Sequence, residues 1–249
     1  MIERSARGEA VWIRLDRPEK MNALHIEGWA ALSEELERAS ENARVAVITG
    51  TAEVFCAGDD IETLDSMTTT DEVSELAVHL YDVLFGIEAL PIPVIAAVNG
   101  LAYGGGCEIV AAADLAVAAE DATFALPETR IGAYPPFAVE RLGTLGGKKR
   151  GMELMLTGEP IDAETALEWG VINRVVPRAS LEETVMEYVD SIVQSPEQST
   201  RVTKQHARFG QGGDKARTRI AGALARTALS EDCQRATREF LERDTDGNE

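Results

Sequence analysis

Between Pro93 and Val98 the chain reads PVIAAV, an uninterrupted apolar run of strand length closed by Asn99 and Gly100. A strand that is apolar on both faces needs cover on both, which places it inside a helix-packed sheet. The rest of the N-terminal half fits that requirement. In AVWIRL (10–15), Val11, Ile13 and Leu15 alternate with Trp12 and Arg14, the pattern of a half-buried strand. The turn DRPEKMN follows, then a helix over about 25–41 with Trp29, Leu32, Leu36 and Ala39 at three- and four-residue spacing. RVAVITG (44–50) is a short β-branched strand closed by glycine. Strand, helix, strand begins a parallel βαβ arrangement.

A second helix is expected over about 71–89, with Asp71 as N-cap and Val73, Leu76, Leu80, Leu84 and Ile87 as its buried stripe. Pro91 and Pro93 stop it. Beyond the glycine-rich turn, CEIVAAAD reads as a short helix and LAVAAE as a strand. Helices then dominate, at about 148–157, 162–169, 180–194 and 196–243. This shift divides the chain into an α/β core over 1–194 and a helical segment over 195–249. Ile220, Leu224, Leu229, Phe240 and Leu241 of that segment cannot all be buried on an isolated arm. They need cover from the core or from another subunit.

Charge narrows the partners. Forty-three acidic residues against 24 basic ones leave a net charge of −19. A surface that negative repels phosphate backbones and anionic headgroups, so neither nucleic acid nor membrane is expected as a partner. No stretch approaches 18 apolar residues, and the first twenty residues contain no apolar signal core. Cys56, Cys107 and Cys233 are too few and too scattered for a disulfide scaffold, which points to a reducing, cytoplasmic setting. Arg outnumbers Lys 19 to 5. Adaptation to high salt and high-GC codon usage both account for that bias, and the sequence leaves the two open.

Most signatures of chemistry are absent. There is no GxSxG, GxxxxGK[ST] or GxGxxG, and His25, His79 and His206 lack metal-ligand spacing, so no metal is expected. Two segments stand out. VFCAGDDI (54–61) runs a strand end into Ala-Gly and two acids, and NGLAYGGGCEIV (99–110) runs three consecutive glycines into a helix. Glycines at a helix entrance let the backbone approach a ligand and aim unpaired N–H groups at it, a suitable place to hold a developing oxyanion. A tight turn without a ligand satisfies the same spacing. Glu108 sits on the first turn of that helix, where complementing the dipole is the commoner role. Glu128 follows Pro127 in a loop after a short strand, where a solvated charge is the commoner reading. Brought into one apolar pocket, the two would titrate apart, one holding a proton while the other accepts one.

Four stretches occur in order along nearly the whole chain: LDRPEKMNAL (15–24), VFCAGDDI (54–61), PVIAAVNGLAYGGGCEIVAAADLAVAAEDATFALPE (93–128) and MLTGEPIDAETALEWGVINRVV (155–176). In these stretches the chain resembles the enoyl-CoA hydratase/isomerase (crotonase) family. The resemblance implies an α/β fold, a spiral of ββα units with a helical C-terminal segment, assembled as a homo-trimer or dimer of trimers. It implies an acyl-CoA thioester substrate, with no metal and no cofactor beyond the CoA that is part of that substrate. By the same resemblance, the main-chain N–H groups of Asp59 and Gly105 form an oxyanion hole, and Glu108 and Glu128 are the acids that position and activate water. Lys20, Met21, Ala23, Asp60, Ile61 and Gly104 fall on segments that contact CoA or substrate. The activity implied is hydration of a 2-enoyl-CoA. Delta-isomerisation, which needs one acid, is the alternative, and a silent acyl-CoA-binding subunit is the non-enzymatic one. Two departures stand out. AYPPFAVERL (133–142) replaces a glycine-rich run, so Tyr134, Pro135, Pro136 and Phe137 are expected to reshape the acyl pocket, and FLERDTDGNE lacks the lysine common near the family's C-terminus.

Overall fold

A computed structural model describes residues 1–207 of the chain. It opens with an antiparallel hairpin of β1 (Ile2–Arg7) and β2 (Ala10–Leu15), in which Ile2 faces Leu15 and Arg7 faces Ala10. β1 has little hydrophobic signal of its own and is held by pairing with β2. Helix α1 (Ile26–Asn42) is N-capped by His25, whose Nδ1 accepts from the Gly28 N–H at 3.1 Å. Its predicted stripe of Trp29, Leu32, Leu36 and Ala39 is buried.

The chain then passes three times between two sheets. The strand pairs are β3 (Val45–Thr49) with β4 (Val54–Cys56), β5 (Val94–Val98) with β6 (Leu101–Tyr103), and β7 (Leu115–Ala119) with β8 (Thr123–Ala125). In each pair the first strand joins a six-stranded sheet and the second a four-stranded one. The larger sheet is ordered β1-β2-β3-β5-β7-β10, ending at β10 (Arg174–Val176), and the smaller is ordered β4-β6-β8-β9, ending at β9 (Ile161–Asp162). All neighbours pair in parallel except β1 with β2 and β8 with β9. This is the expected spiral, and β5 is buried at every residue, as its composition requires.

Helices fill the returns. α2 (Ile61–Ser66) and α3 (Thr70–Ala89) follow β4, and α4 (Gly105–Ala112) follows β6. A 3-10 turn at Glu128–Ile131 and α5 (Pro136–Glu140) follow β8. Helices α6 (Lys148–Thr157), α7 (Ala163–Trp169) and α8 (Leu181–Val193) complete the core's returns. The core lies between the larger sheet, α1, α3 and α4, with Ile13, Ile48, Val94, Trp29, Leu84 and Ile109 among its members.

Three expectations need correction. The N-cap of α3 is Thr69, not Asp71: Thr69 Oγ1 accepts from Glu72 N–H, and Glu72 Oε2 accepts from Thr69 N–H in a capping box. Val73 has the spacing of the buried stripe yet is 52% exposed, because it faces a cavity rather than the sheet. Trp12 is 2% exposed, so β2 is buried on both faces. Arg7 of β1 lies 4.4 Å over the Trp12 ring on that second face and donates from Nη1 to Glu182 Oε2 of α8 at 2.5 Å.

The first compact unit runs from Met1 to Val189, and the second begins at Asp190. In the second, α9 (Glu197–Ala207) carries an Arg201–Glu197 pair at 2.7 Å along its own surface. The rest of the long helical stretch expected to 243, including Ile220, Leu224, Leu229, Phe240 and Leu241, lies outside the described residues, as does Cys233.

Candidate active site

The carboxyl ends of β4 and β6 lie side by side, and the loops leaving them meet in a space too tight for side chains. A Cβ on Gly58 would come within 2.8 Å of the Gly105 nitrogen, and one on Gly106 within 2.1 Å of the Cys56 carbonyl oxygen. Gly58 has φ +89° and Gly104 has φ +52°, a region L side chains rarely adopt. Three glycines in sequence are thus required by close backbone approach and handedness together.

Two main-chain donors are left over at this meeting point. Leu24 N–H donates to Gly58 O at 2.8 Å and Asp60 N–H donates to Leu24 O at 3.0 Å, so the Asp59 N–H points away from the loop that pins it. Gly105 is the first residue of α4, where helix geometry gives its N–H no partner. Neither N–H finds an acceptor among the described residues. Both residues border a cavity of about 930 Å³, together with Gly104.

Three carboxyl groups converge behind and beside these amides. Glu108 is 1% exposed, and its Oε1 accepts from the N–H groups of Phe137 and Ala138, each at 2.9 Å. These are the first N–H groups α5 can offer, because Pro135 and Pro136 have none. Burial pushes the Glu108 carboxyl up to about 8, against the pull of those two amides and with the help of Glu128 and Asp59. Glu128 lines the cavity and opens a 3-10 turn rather than lying in an irregular loop. Its Oε2 is buried with no hydrogen-bond partner, and its Oε1 would lie 3.2 Å from a Cβ on Gly104. Burial, with Asp59 adding to it, raises Glu128 to about 7. Asp59 is raised by burial to about 6, although Trp29 Nε1 donates to its Oδ1 at 2.8 Å. Glu108 and Glu128, whose meeting the spacing alone leaves open, therefore belong to one electrostatic cluster.

The other predicted residues divide. Ile61 lines the cavity, whereas Lys20, Met21, Ala23 and Asp60 do not. Asp60 is held by its own fold: Arg17 Nη1 donates to Oδ2 at 2.5 Å, and the Glu62 N–H donates to Oδ1 at the start of α2. Burial works against the Asp60 anion, but the Arg17 bond and charge hold its carboxyl below the ordinary range. Lys20 pairs with Glu62 at 2.5 Å, and Met21 O accepts from Ala57 N–H at 3.0 Å, so this loop is bonded to the segment carrying Asp59. Of the proline segment, Tyr134, Pro136 and Phe137 line the cavity and Pro135 is buried away from it.

Sequence reasoning missed the wall contributed by α3. Tyr81 stacks on Phe85 with centroids 4.6 Å apart, and Phe85 meets Phe137 edge-on at 5.1 Å. Arg141 lies over Phe85 at 5.0 Å and is bonded by both oxygens of Glu88 at 2.8 and 3.0 Å. Tyr81 and Phe85 lie four residues apart on the helix, a signal that marks one face but not what the face meets. Cys56 and Cys107, beneath the glycines, are buried free thiols. Burial raises both, Cys56 to about 12.

Known proteins resemble this chain along most of its length. A family model described as enoyl-CoA hydratase/isomerase matches residues 6–246. Carnitinyl-CoA dehydratase of Salmonella typhimurium is 40% identical over 192 residues, 76% of this chain and 72% of that protein. Mevalonyl-coenzyme A hydratase of Aspergillus fumigatus is 36% identical over 210 residues, 80% of this chain and 74% of that protein. Among solved structures, an enoyl-CoA hydratase of Mycobacterium smegmatis superposes with a TM-score of 0.92 at 29% identity, covering 97% of this chain and 96% of the other.

Proposed function

The chain belongs to the enoyl-CoA hydratase/isomerase family, and from that premise we propose that it adds water across the 2,3 double bond of a 2-enoyl-CoA. The product is a 3-hydroxyacyl-CoA. One observation carries the reading: two partnerless main-chain N–H groups, of Asp59 and Gly105, border the same cavity as the unbonded Oε2 of Glu128, with Glu108 coupled behind it.

The amides receive the thioester carbonyl oxygen. As a nucleophile adds at C3, negative charge moves to that oxygen and the acyl group becomes an enolate. Each fixed donor is worth roughly 3 kcal/mol to such a transition state. Two buried, mutually repelling carboxyl groups raised to about 7 and about 8 hold one proton between them near neutral pH. That is the state hydration needs, since one carboxylate deprotonates water while the other delivers a proton to C2. The proposed chemistry requires no metal and no redox cofactor. Its apolar cavity walls, from Leu64, Leu76, Leu80 and Ile131, suit an alkenyl chain. The reading extends to a homo-trimer or dimer of trimers, checked by light scattering at moderate and high salt, and to the cytoplasm, whose reducing conditions suit the free thiols.

The test is loss of enoyl-thioester absorbance with crotonyl-CoA. Glu128→Ala is expected to reduce kcat by about 10²–10⁴-fold, with 3-hydroxybutyryl-CoA as the wild-type product. A Glu128→Ala enzyme with wild-type turnover overturns the reading. One observation favours a second reading, delta-isomerisation: Glu108 lies behind the cavity wall while Glu128 lies on it. Glu108→Gln separates the two. Hydration falls with it, whereas an α-to-γ proton shuttle on Glu128 alone persists on a 3-enoyl-CoA.

A further inference from the structure

Trp29 is the largest side chain touching both residues whose amides border the cavity, and it does so from inside the core. It is fully buried on α1, and it does not itself line the cavity. Its indole N–H donates to Asp59 Oδ1 at 2.8 Å. The ring edge next to that N–H lies against Gly105: a Cβ there would lie 2.8 Å from Trp29 Cζ2 and 3.0 Å from Cη2. One rigid plane thus ties Asp59 by a hydrogen bond and stops Gly105 by contact. The helix that carries it is fixed at its start by the His25 cap, and Asp59 is pinned from the other side through Leu24. The contrast with Trp12 is informative, since that indole N–H is buried with no partner and the fold tolerates it. The Trp29 bond is therefore no general requirement of a buried tryptophan in this chain.

We propose that Trp29 is a positioning residue that sets the distance and direction of the Asp59 and Gly105 amides, so that Asp59 contributes its N–H to the substrate and its carboxyl to this lock. The inference rests on the reading of those amides as an oxyanion hole. A hole held from the core acts on the transition state, where charge reaches the oxygen, more than on ground-state binding. Displacing reacting groups by fractions of an ångström is expensive in rate.

The experiment compares wild type, Trp29→Phe, Asp59→Ala and the double variant. Trp29→Phe removes the donor and also withdraws the ring edge that meets Gly105; Asp59→Ala removes the acceptor alone, without opening the core. Each single variant is expected to lower kcat with crotonyl-CoA about tenfold with KM within about twofold. The double variant is expected to be no worse than the poorer single one, because both break the same bond. A second readout is the near-ultraviolet enolate band of bound acetoacetyl-CoA, which an intact amide pair strengthens and both single variants weaken. Unchanged kcat and an unchanged band in folded single variants overturn the proposal, as do effects that multiply in the double variant. If Trp29→Phe does not fold, Asp59→Ala decides by the same kcat and band criteria. Failure of the underlying reading looks different: wild type then gives no enolate band at all. A wild-type band without hydration leaves the lock standing and removes only the hydratase assignment.

Discussion

The floor and the wall of the cavity are made of different material. The floor, from Cys56 to Asp59 and from Tyr103 to Glu108, is largely main chain packed against main chain: Gly58 and Gly106 are separated from neighbouring backbone atoms by less than a methyl group's room, and Gly105 is as close to the Trp29 ring. The wall, from α3 and residues 134–141, is side chain against side chain: Tyr81 on Phe85, Phe85 on Phe137, Arg141 over both phenyl rings. A floor of peptide groups presents the same donors whatever acyl chain enters. A wall of side chains can be rebuilt residue by residue without moving them. Under the proposed function, reaction and substrate choice are expected to reside in separable parts of one pocket.

That contrast is sharpest under substitution. Gly106→Ala places a Cβ 2.1 Å from a carbonyl oxygen that cannot swing aside. It is expected to cost on the order of 3 kcal/mol or more, a drop in Tm of roughly 6–12 °C, and to remove activity; a melt within 2 °C of wild type, ~0.5 kcal/mol, breaks the comparison. Glu108→Gln is smaller and depends on pH. The folded-state pKa of Glu108 is raised to about 8 from an ordinary 4.5, so the folded protein binds a proton the unfolded chain has released. Stability from this group is full below pH 4.5 and is lost as pH rises through about 8. Glutamine keeps an acceptor for the Phe137 and Ala138 amides without the charge. The variant is expected to melt a few degrees above wild type at pH 9, ~2–4 °C per kcal/mol, and level with it near pH 4.5. Equal melting curves across that range count against a buried, protonated Glu108.

The wall is expected to answer more gently. Tyr81 is 60% exposed, and Tyr81→Ala loses one stacked pair, about 1 kcal/mol in chemical denaturation. Its larger effect is on choice: relative kcat/KM for short and long enoyl-CoA chains is expected to shift by roughly 10-fold or more. A uniform fall for every chain length assigns Tyr81 to the floor's function instead. Outside both regions, Arg38 pairs with Glu34 and Glu35 on the surface of α1. Arg38→Ala is expected to cost less than about 0.5 kcal/mol, and that cost is expected to vanish in about 1 M salt.

The same division explains what the sequence discloses. The floor is written locally, because close main-chain approach demands glycine at fixed positions and the amides need no particular side chain. The stripe of α1 and the apolar β5 are legible for a related reason, since burial imposes periodicity. The wall is not legible in this way. Val73 carries core spacing but meets a cavity, and Phe85 and Phe137 touch although 52 residues separate them. Trp29 reads as ordinary core; its bond to Asp59 joins residues 30 apart in the chain, and nothing in either segment announces it. β1 escapes notice because IERSAR is held by its neighbour's hydrogen bonds rather than by its own hydrophobicity.

Cys56 and Cys107 give the floor a clock. Both sulfurs are sealed beneath the glycine turns, and burial keeps both as thiols at neutral pH. A disulfide reagent in excess can reach them only through transient opening, so its second-order rate divided by that of a free thiol equals the open fraction of the floor. Each unsubstituted molecule thereby records how often the turns that carry the Asp59 and Gly105 amides come apart, and acyl-CoA bound as proposed should slow that record in proportion to its occupancy.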